Sequence, residues 1–251
     1  MKKSSNGATK PATAAAADPD PPAVKDRICT GVHGLDGLLD GGFPTGSFIL
    51  LSGTCGTGKS IFGMQFVYKG AEAGEPGVYL SMEEDPKRFI GDMSKFGWNV
   101  QKYVDDGKLS VIKPELYESD AIKRNIVEAV ERTGARRLVI DSFTLLSSYL
   151  EKPFDVRKMV FDLSREAKKL NCTTLAISDM SEGGQSYSAD GFEEFVSDGV
   201  VVLSMLKAEA GAYNRALQIR KMRATAHSLK LIPFRIERHG IMLHPKAGLF
   251  R

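Results

Sequence analysis

Residues 53–60 read Gly53-Thr54-Cys55-Gly56-Thr57-Gly58-Lys59-Ser60 and match the phosphate-loop pattern G-x-x-x-x-G-K-[ST]. The apolar run 47–52 before them predicts a buried strand, and a helix-periodic segment follows them. In this order, backbone N–H groups surround an anion at the N-terminus of a helix. The alternative is a glycine-rich turn that matches the pattern by chance. Such a turn would need neither the strand before it nor the helix after it. The stretch therefore predicts a nucleotide site that includes all eight residues and Ile61.

Two side chains of the loop predict the chemistry of its ligand. The Lys59 ammonium would neutralise β- and γ-phosphate oxygens, and the Ser60 hydroxyl would coordinate Mg²⁺. A nucleoside triphosphate with Mg²⁺ is the ligand that fits both groups.

Composition favours an ordinary soluble α/β protein. The chain has 251 residues, of which 42% are hydrophobic and 26% are charged. A net charge of +3 is too small to indicate a basic surface that would bind nucleic acid or an acidic membrane. The three cysteines are an odd number without metal-ligand spacing, which fits free thiols in a reducing cytoplasm.

The N-terminus differs in composition from the rest of the chain. Residues 1–23 are rich in Ala, Pro, Ser and Lys, without the apolar core of a secretory signal, and predict a disordered leader. No apolar run approaches the roughly 20 residues of a membrane span. We expect residues 24–251 to form one domain.

Strands and helices alternate over most of the chain. Apolar runs predict strands at 47–52, 77–81, 108–112, 136–141 and 173–178, separated by helical patterns at 60–73, 86–96, 119–133 and 154–170. Repeated βαβ units give a parallel sheet covered on both faces, with ligands outside the carboxyl ends of the strands. Beyond Asp198 the pattern predicts strands at 199–206, 215–222, 232–237 and 240–243, an antiparallel extension of the sheet.

Three carboxylates follow predicted parallel strands. Asp141 ends a buried strand, where phosphate-loop proteins hold the Mg²⁺ shell; an Asp that begins a turn is the alternative. Glu83 and Glu84 follow another strand, and one of them could polarise the attacking water. The alternative is that both belong to the polar start of the next helix, which Asp85 would cap.

The segment from Lys221 to His227 carries cations in alternation. In a strand, Lys221, Arg223 and Thr225 would project from one face, and His227 would continue the row if the strand persisted. Such a row could be a solvated edge, or it could complete a phosphate site that lacks an arginine finger.

These motifs together resemble a single KaiC-type domain of the RecA-like P-loop ATPases. The resemblance extends from Arg27 to about Pro245. Besides the phosphate loop, it rests on the segments 30–36, 41–44, 75–77, 83–84, 96–98, 140–142, 193–198 and 221–227. It implies a ring-forming ATPase, usually a hexamer, with ATP held between neighbouring subunits.

The resemblance also implies roles for individual residues. It implies paired catalytic glutamates at Glu83 and Glu84, with Glu84 also near the metal, and a carboxylate at Asp141 that holds Mg²⁺ through water. Lys221 and Arg223 match a K-x-R motif that reaches the phosphates from the adjacent subunit. Thr225 and His227 belong to the same nucleotide-facing segment.

This sequence departs from the clock protein of the family in two ways. It has one such domain instead of two, and Glu194 and Phe195 stand where the autophosphorylating domain has Ser and Thr. Autokinase activity is therefore not expected, and the leading hypothesis is an ATP-driven oligomeric switch that acts on a protein partner.

Two alternatives remain open at this point. One is a recombinase-like DNA-binding ATPase, although the candidate loop 181–195 contains four acidic residues and no Lys or Arg. The other is a nucleotide-sensing scaffold with little turnover, which the intact glutamate pair disfavours.

Overall fold

The computed structural model describes residues 27–115, 118–150, 152–180, 186–207 and 213–247. The expected leader, residues 1–23, lies outside the described residues. In the described ranges, every helix is too short or too polar to span a lipid bilayer.

Eleven strands are found in the described ranges: β1 (Arg27–Ile28), β2 (Phe43–Pro44), β3 (Phe48–Gly53), β4 (Gly77–Ser81), β5 (Leu109–Ile112), β6 (Arg137–Asp141), β7 (Thr173–Asp179), β8 (Gly199–Lys207), β9 (Tyr213–Met222), β10 (Ile232–Glu237) and β11 (Gly240–Leu243). The α-helices in the same ranges are α1 (Lys59–Glu72), α2 (Pro86–Met93), α3 (Val100–Asp105), α4 (Ser119–Thr133), α5 (Phe143–Ser148), α6 (Pro153–Lys169) and α7 (Glu193–Val196). Short 3-10 helices lie at Asp36–Leu38 and Ser94–Phe96.

Nine of these strands form one sheet in the order β11-β10-β9-β8-β3-β7-β6-β4-β5. The six strands from β8 to β5 run parallel, and β9, β10 and β11 continue the sheet in antiparallel pairs. The α/β class, the mainly parallel sheet and its antiparallel C-terminal extension are thereby confirmed.

Helices cover both faces of the sheet, as the apolar strands require. Side chains alternate between the faces, so Ile49 and Leu51 of β3 pack in one core with residues of α1, while Phe48 packs in the other with residues of α4 and α6. The phosphate-loop strand therefore lies at the centre of the sheet, buried on both sides.

The predicted bounds of the long elements agree with the structure within a few residues, but three short α-helices, α3, α5 and α7, were not predicted. Helices α3 and α5 have six residues each, and the side chains of Asn99 and Ser142 cap them. Six residues are too few to show a helical period in the sequence.

The expected row of side chains from Lys221 to His227 is not formed. Strand β9 ends at Met222, and Ala224 takes a left-handed conformation with a φ of 54°. The chain turns there, so Arg223 and Thr225 do not continue the alternation of the strand.

Candidate functional site

The parallel register brings the ends of four strands to one edge of the sheet. Gly53 pairs with Asp179, and Ser81 pairs with Asp141. This carboxyl edge therefore carries the phosphate loop after β3, the two glutamates after β4 and the aspartates that end β6 and β7.

A cleft of about 640 Å³ lies at this carboxyl edge. Nine of the residues that the sequence analysis proposed line it: Cys55, Gly56, Gly58, Lys59, Ser60, Ile61, Glu83, Glu84 and Asp141. It is also lined by residues that were not proposed, namely Ser81, Phe89, Met93, Ser142, Asp179, Arg215 and Ile236.

The phosphate loop turns directly into helix α1. Gly58 precedes the helix with a φ of 101°, and a Cβ there would come within 2.8 Å of Ile236 Cδ1. Thr57 is fully buried, and its hydroxyl donates to the Thr54 carbonyl at 2.9 Å. The buried Thr57 hydroxyl thus stabilises the shape of the loop, and the N-terminus of α1 faces the cleft.

Lys59 is held at the floor of the cleft. Its ammonium donates to the carbonyl oxygens of Gly53 and Thr54 at 2.9 and 3.0 Å. It also pairs with Asp179 Oδ1 at 2.9 Å, and only 10% of its side chain is exposed. A phosphate in the cleft would compete with this carboxylate for the same ammonium.

Asp141 lies opposite the loop, beside the Ser60 hydroxyl. Tyr79 donates its hydroxyl to Asp141 Oδ2 at 2.5 Å. Although Asp141 partly faces the cleft, desolvation of its carboxylate raises its pKa above the usual value and outweighs the hydrogen bonds from Tyr79 and Ser60. Burial, with the charge of Asp141, also raises the pKa of the Tyr79 hydroxyl.

The oxygen donors in the cleft suit Mg²⁺. The Ser60 hydroxyl, the Asp141 carboxylate and the Glu84 carboxylate all line it, and hard oxygen ligands are those that this ion prefers. A bound cation would also offset the desolvation that raises the pKa of Asp141.

Glu83 and Glu84 are both exposed to solvent at the mouth of the cleft. The hydroxyl of Ser81 binds both the N–H and the carbonyl of Glu84, each at 3.1 Å, and fixes the turn after β4. Asp85 ends this turn by capping α2, as predicted. The glutamates therefore project from a fixed backbone, and both side chains are in contact with solvent.

Sequence reasoning missed two charged residues of the cleft. Asp179 ends β7 as Asp141 ends β6, so the argument used for Asp141 could have found it. Arg215 comes from β9 and donates to the Gly56 carbonyl at 3.3 Å, while its Nε atom is buried without a partner in the described part of the chain. The antiparallel pairing of β8 with β9 brings it there; the sequence predicted that extension of the sheet but not the register that places Arg215 beside the loop.

Lys221 and Arg223 lie at the opposite, amino edge of the sheet. Lys221 donates to the carbonyl oxygens of Glu194 and Ser197 at 3.0 and 2.6 Å. Arg223 pairs with Asp198 Oδ1 at 2.9 Å, and 57% of its side chain is exposed. Burial, with the nearby charge of Arg223, lowers the pKa of Lys221.

Thr225 and His227 follow in the same segment, outside any strand. The Thr225 hydroxyl accepts a hydrogen bond from the Arg27 guanidinium at 2.7 Å. The Nδ1 atom of His227 is buried and has no partner among the described residues. None of these four residues lines the cleft of their own chain.

The register of the strands gives the separation of the two edges. Met222 pairs with Gly199, and Gly199 pairs with Ile49 near the start of β3. The phosphate loop follows the other end of β3, and the five residue steps from Ile49 to Thr54, at about 3.3 Å each, make about 16 Å. One side chain cannot bridge that distance.

Comparison with known proteins places these features in a family. A family model described as "ATPase: KaiC" matches residues 28–248. The chain is 37% identical over 239 residues to the "UPF0273 protein" of Thermotoga maritima, which covers 88% of this chain and 97% of the relative.

Two further relatives link the sequence to the clock protein and to a solved structure. The circadian clock oscillator protein KaiC of Synechococcus elongatus is 37% identical over 234 residues, or 89% of this chain and 45% of that protein. The crystal structure of a KaiC-like protein from Pyrococcus horikoshii superposes with a TM-score of 0.82 at 37% identity, over 88% of this chain and all of that one. The chain thus spans less than half of the clock protein and the full length of the solved structure.

Proposed function

The chain belongs to the KaiC family of ATPases, and we propose that it hydrolyses ATP with Mg²⁺ in a ring whose nucleotide sites are each shared by two subunits. One subunit supplies the cleft at the carboxyl edge, and the next supplies Lys221 and Arg223. The observation that carries this proposal is the position of these two cations at the edge of the sheet opposite the phosphate loop.

Within one subunit, the cleft would bind the triphosphate and the metal. The backbone of residues 53–61 surrounds the phosphates, and Lys59 exchanges Asp179 for phosphate oxygens. Ser60 and Glu84 would hold Mg²⁺ directly, and Asp141 would hold it through water. The ion would neutralise charge on the β- and γ-phosphates.

Glu83 and Glu84 would supply the general base. Either carboxylate can orient a water molecule for attack on the γ-phosphate, an effect worth about 10² to 10⁴ in rate. Ser142 Oγ lies 3.5 Å from Glu83 Oε1, and Lys113 holds the Glu83 carbonyl at 2.6 Å. These contacts would fix Glu83, while Glu84 faces the metal.

The cations of the neighbouring subunit would complete the site. A guanidinium supplied in trans stabilises the charge of the transition state and contributes about 10³ to 10⁵ in rate, or about 4 to 7 kcal/mol. Burial, and after it the charge of Arg223, lowers the pKa of Lys221, so an anion from the neighbouring subunit would favour its charged form. Thr225 and His227 would contact the same nucleotide.

Hydrolysis in such a ring requires assembly, so nucleotide state and oligomeric state are coupled. We propose that the protein works as a nucleotide-driven switch for a protein partner in the cytoplasm, as a hexamer and without autokinase activity. Residues 24–251 would form the single ATPase domain after a disordered leader. The acidic residues Asp190, Glu193 and Glu194 in the segment after β7 disfavour binding of nucleic acid there.

Mixing two inactive variants tests the shared site. One carries Glu83→Gln with Glu84→Gln and keeps Lys221 and Arg223, and the other carries Arg223→Ala and keeps the glutamates. If subunits share sites, mixed rings contain complete sites and phosphate release partly recovers.

The same assay includes its controls. Each variant alone defines the background, and subunit exchange is followed by energy transfer between labelled subunits. Exchange without recovery of phosphate release would contradict the shared site. Stimulation by single-stranded DNA that falls steeply with salt would favour the recombinase-like alternative, and rings of the unmutated protein that release no phosphate would favour the scaffold.

A further inference from the structure

Asp198 lies between the strand that carries the phosphate loop and the turn that carries Arg223. Its N–H donates to the Phe48 carbonyl at 2.7 Å, and its Oδ2 accepts from the Phe48 N–H at 3.0 Å. Oδ2 also pairs with Lys168 Nζ at 2.8 Å. Its Oδ1 accepts from the Arg223 guanidinium at 2.9 Å. One carboxylate oxygen is thus anchored to β3 and α6, and the other holds the arginine.

The backbone of Arg223 depends on the same residue. The Arg223 N–H donates to the Asp198 carbonyl at 2.9 Å, directly where β9 ends. The next residue, Ala224, has a φ of 54°, and its carbonyl accepts from the Arg27 guanidinium at 3.1 Å. The turn is therefore fixed on both sides of Arg223.

The two side chains of this pair differ in exposure. The Asp198 side chain is 16% exposed, whereas that of Arg223 is 57% exposed. Burial alone would raise the pKa of Asp198, but hydrogen bonds from Lys168, the Phe48 N–H and Arg223 outweigh it and hold the pKa below its usual value. A fixed and ionised carboxylate thus restrains a guanidinium that extends towards solvent.

We propose that Asp198 is a positioning residue, which sets the direction in which Arg223 leaves its subunit and so places the guanidinium beside the phosphates held by the neighbour. This inference rests on the shared site proposed above. The alternative is that Asp198 only ties β3 to the end of α6 through Lys168. The two roles use different carboxylate oxygens, so they can be separated experimentally.

The test compares Asp198→Asn with Lys168→Met, each measured by the steady-state kcat and KM for ATP. Asparagine keeps the shape and an acceptor for the Phe48 N–H but loses the charge that holds Arg223. A displacement of about 1 Å at a reacting centre can cost about 10²-fold, so we expect kcat of Asp198→Asn to fall by about that factor with KM unchanged. Lys168→Met removes only the anchoring cation and should leave kcat near that of the unmutated protein.

A double variant shows whether Asp198 acts through Arg223. If it does, Asp198→Asn adds no further loss of kcat in an Arg223→Ala background, because the two residues act as one unit. Asp198→Glu keeps the charge but moves it by one methylene, and it should also lower kcat. This variant replaces Asp198→Asn in the test if the Asn variant does not assemble.

The outcomes separate this proposal from the one it rests on. If Arg223→Ala is slow but an assembled Asp198 variant has the unmutated kcat, the positioning role is wrong and the shared site stands. The positioning role is also wrong if Lys168→Met matches Asp198→Asn, or if the double variant multiplies the two losses. If Arg223→Ala itself keeps the unmutated kcat, the shared site is wrong and the positioning role fails with it.

Discussion

The two edges of the central sheet carry charged groups in different arrangements. At the carboxyl edge the charged groups line a cleft, in which Lys59 pairs with Asp179. At the amino edge Arg223 is more than half exposed, and Lys221 binds only backbone carbonyl oxygens among the hydrogen bonds of the described residues. The carboxyl edge has the groups that a phosphate site needs, whereas the cations of the amino edge lie on the far side of the sheet.

With such groups at both edges, one chain can contribute to two of the proposed sites. About 16 Å of strand separates the edges, so Arg223 cannot reach the phosphate loop of its own subunit. The same rigid strand, β3, links both edges through Gly53 at one end and Phe48 at the other. In the proposed ring, a second copy of the chain would therefore close each site, and the two contributions of each copy would move together.

Two arginines, one in strand β9 and one in the turn after it, give the largest expected difference between the two edges. Arg215 lines the cleft of its own subunit, whereas Arg223 lies at the far edge. We expect Arg223→Ala to lower kcat by about 10³ to 10⁵, the range for a guanidinium supplied in trans. Arg215→Ala should also lower kcat, because it changes the cleft of its own subunit.

Mixing distinguishes the two arginines. Arg223→Ala should regain phosphate release when mixed with Glu83→Gln and Glu84→Gln subunits, because the defects lie in different halves. Arg215→Ala should regain nothing with the same partner, since both variants damage the cleft half. Equal recovery for the two arginines would mean that the edges are not separate half-sites.

A smaller effect is expected for the stability of the carboxyl edge. The pKa of Asp141 is raised in the folded chain, chiefly by burial, so the ionised carboxylate costs stability above that pKa. The cost is absent below the pKa of the unfolded chain, about 3.9. Asp141→Asn should therefore raise the free energy of unfolding at pH 7 by roughly 1 kcal/mol while lowering Mg²⁺-dependent hydrolysis.

Urea denaturation without nucleotide measures this effect. The gain from Asp141→Asn should be present at pH 7 and lost near pH 3, because the carboxylate is then protonated in both states. A variant that is less stable than the unmutated protein at pH 7 would show that the carboxylate stabilises the cleft instead. The matched variant Asp179→Asn, which breaks the pair with Lys59, should not give the gain.

The residues that lie at the carboxyl edge were easier to predict from the sequence than those at the amino edge, and the reason is physical. The phosphate loop, Asp141 and the glutamates each follow a strand directly, so local patterns were enough to bring them together. Arg215 reaches the cleft through long-range pairing, and β9 ends at Met222 because Ala224 turns the chain. The antiparallel strands were predicted, but neither their register nor a left-handed alanine has a local signal in the sequence.

The family resemblance supplied what the local patterns could not. It identified Lys221 and Arg223 as a pair, although no pattern in the strand sets them apart from a solvated edge. The structure adds that Asp198 holds Arg223, and the sequence alone gave no reason to single out that carboxylate. Tertiary contacts, and not residue types, carry that information.

An electron cryomicroscopy structure of the assembled protein with ATP and Mg²⁺, stalled by Glu83→Gln and Glu84→Gln, would show whether two subunits share each nucleotide site. The distance to measure joins the Arg223 guanidinium to the γ-phosphate in the adjacent subunit. We predict that the two groups are within hydrogen-bonding distance and that Asp198 still contacts Arg223. An ATP-loaded assembly in which Arg223 and Lys221 point into solvent, far from any γ-phosphate, would contradict the account.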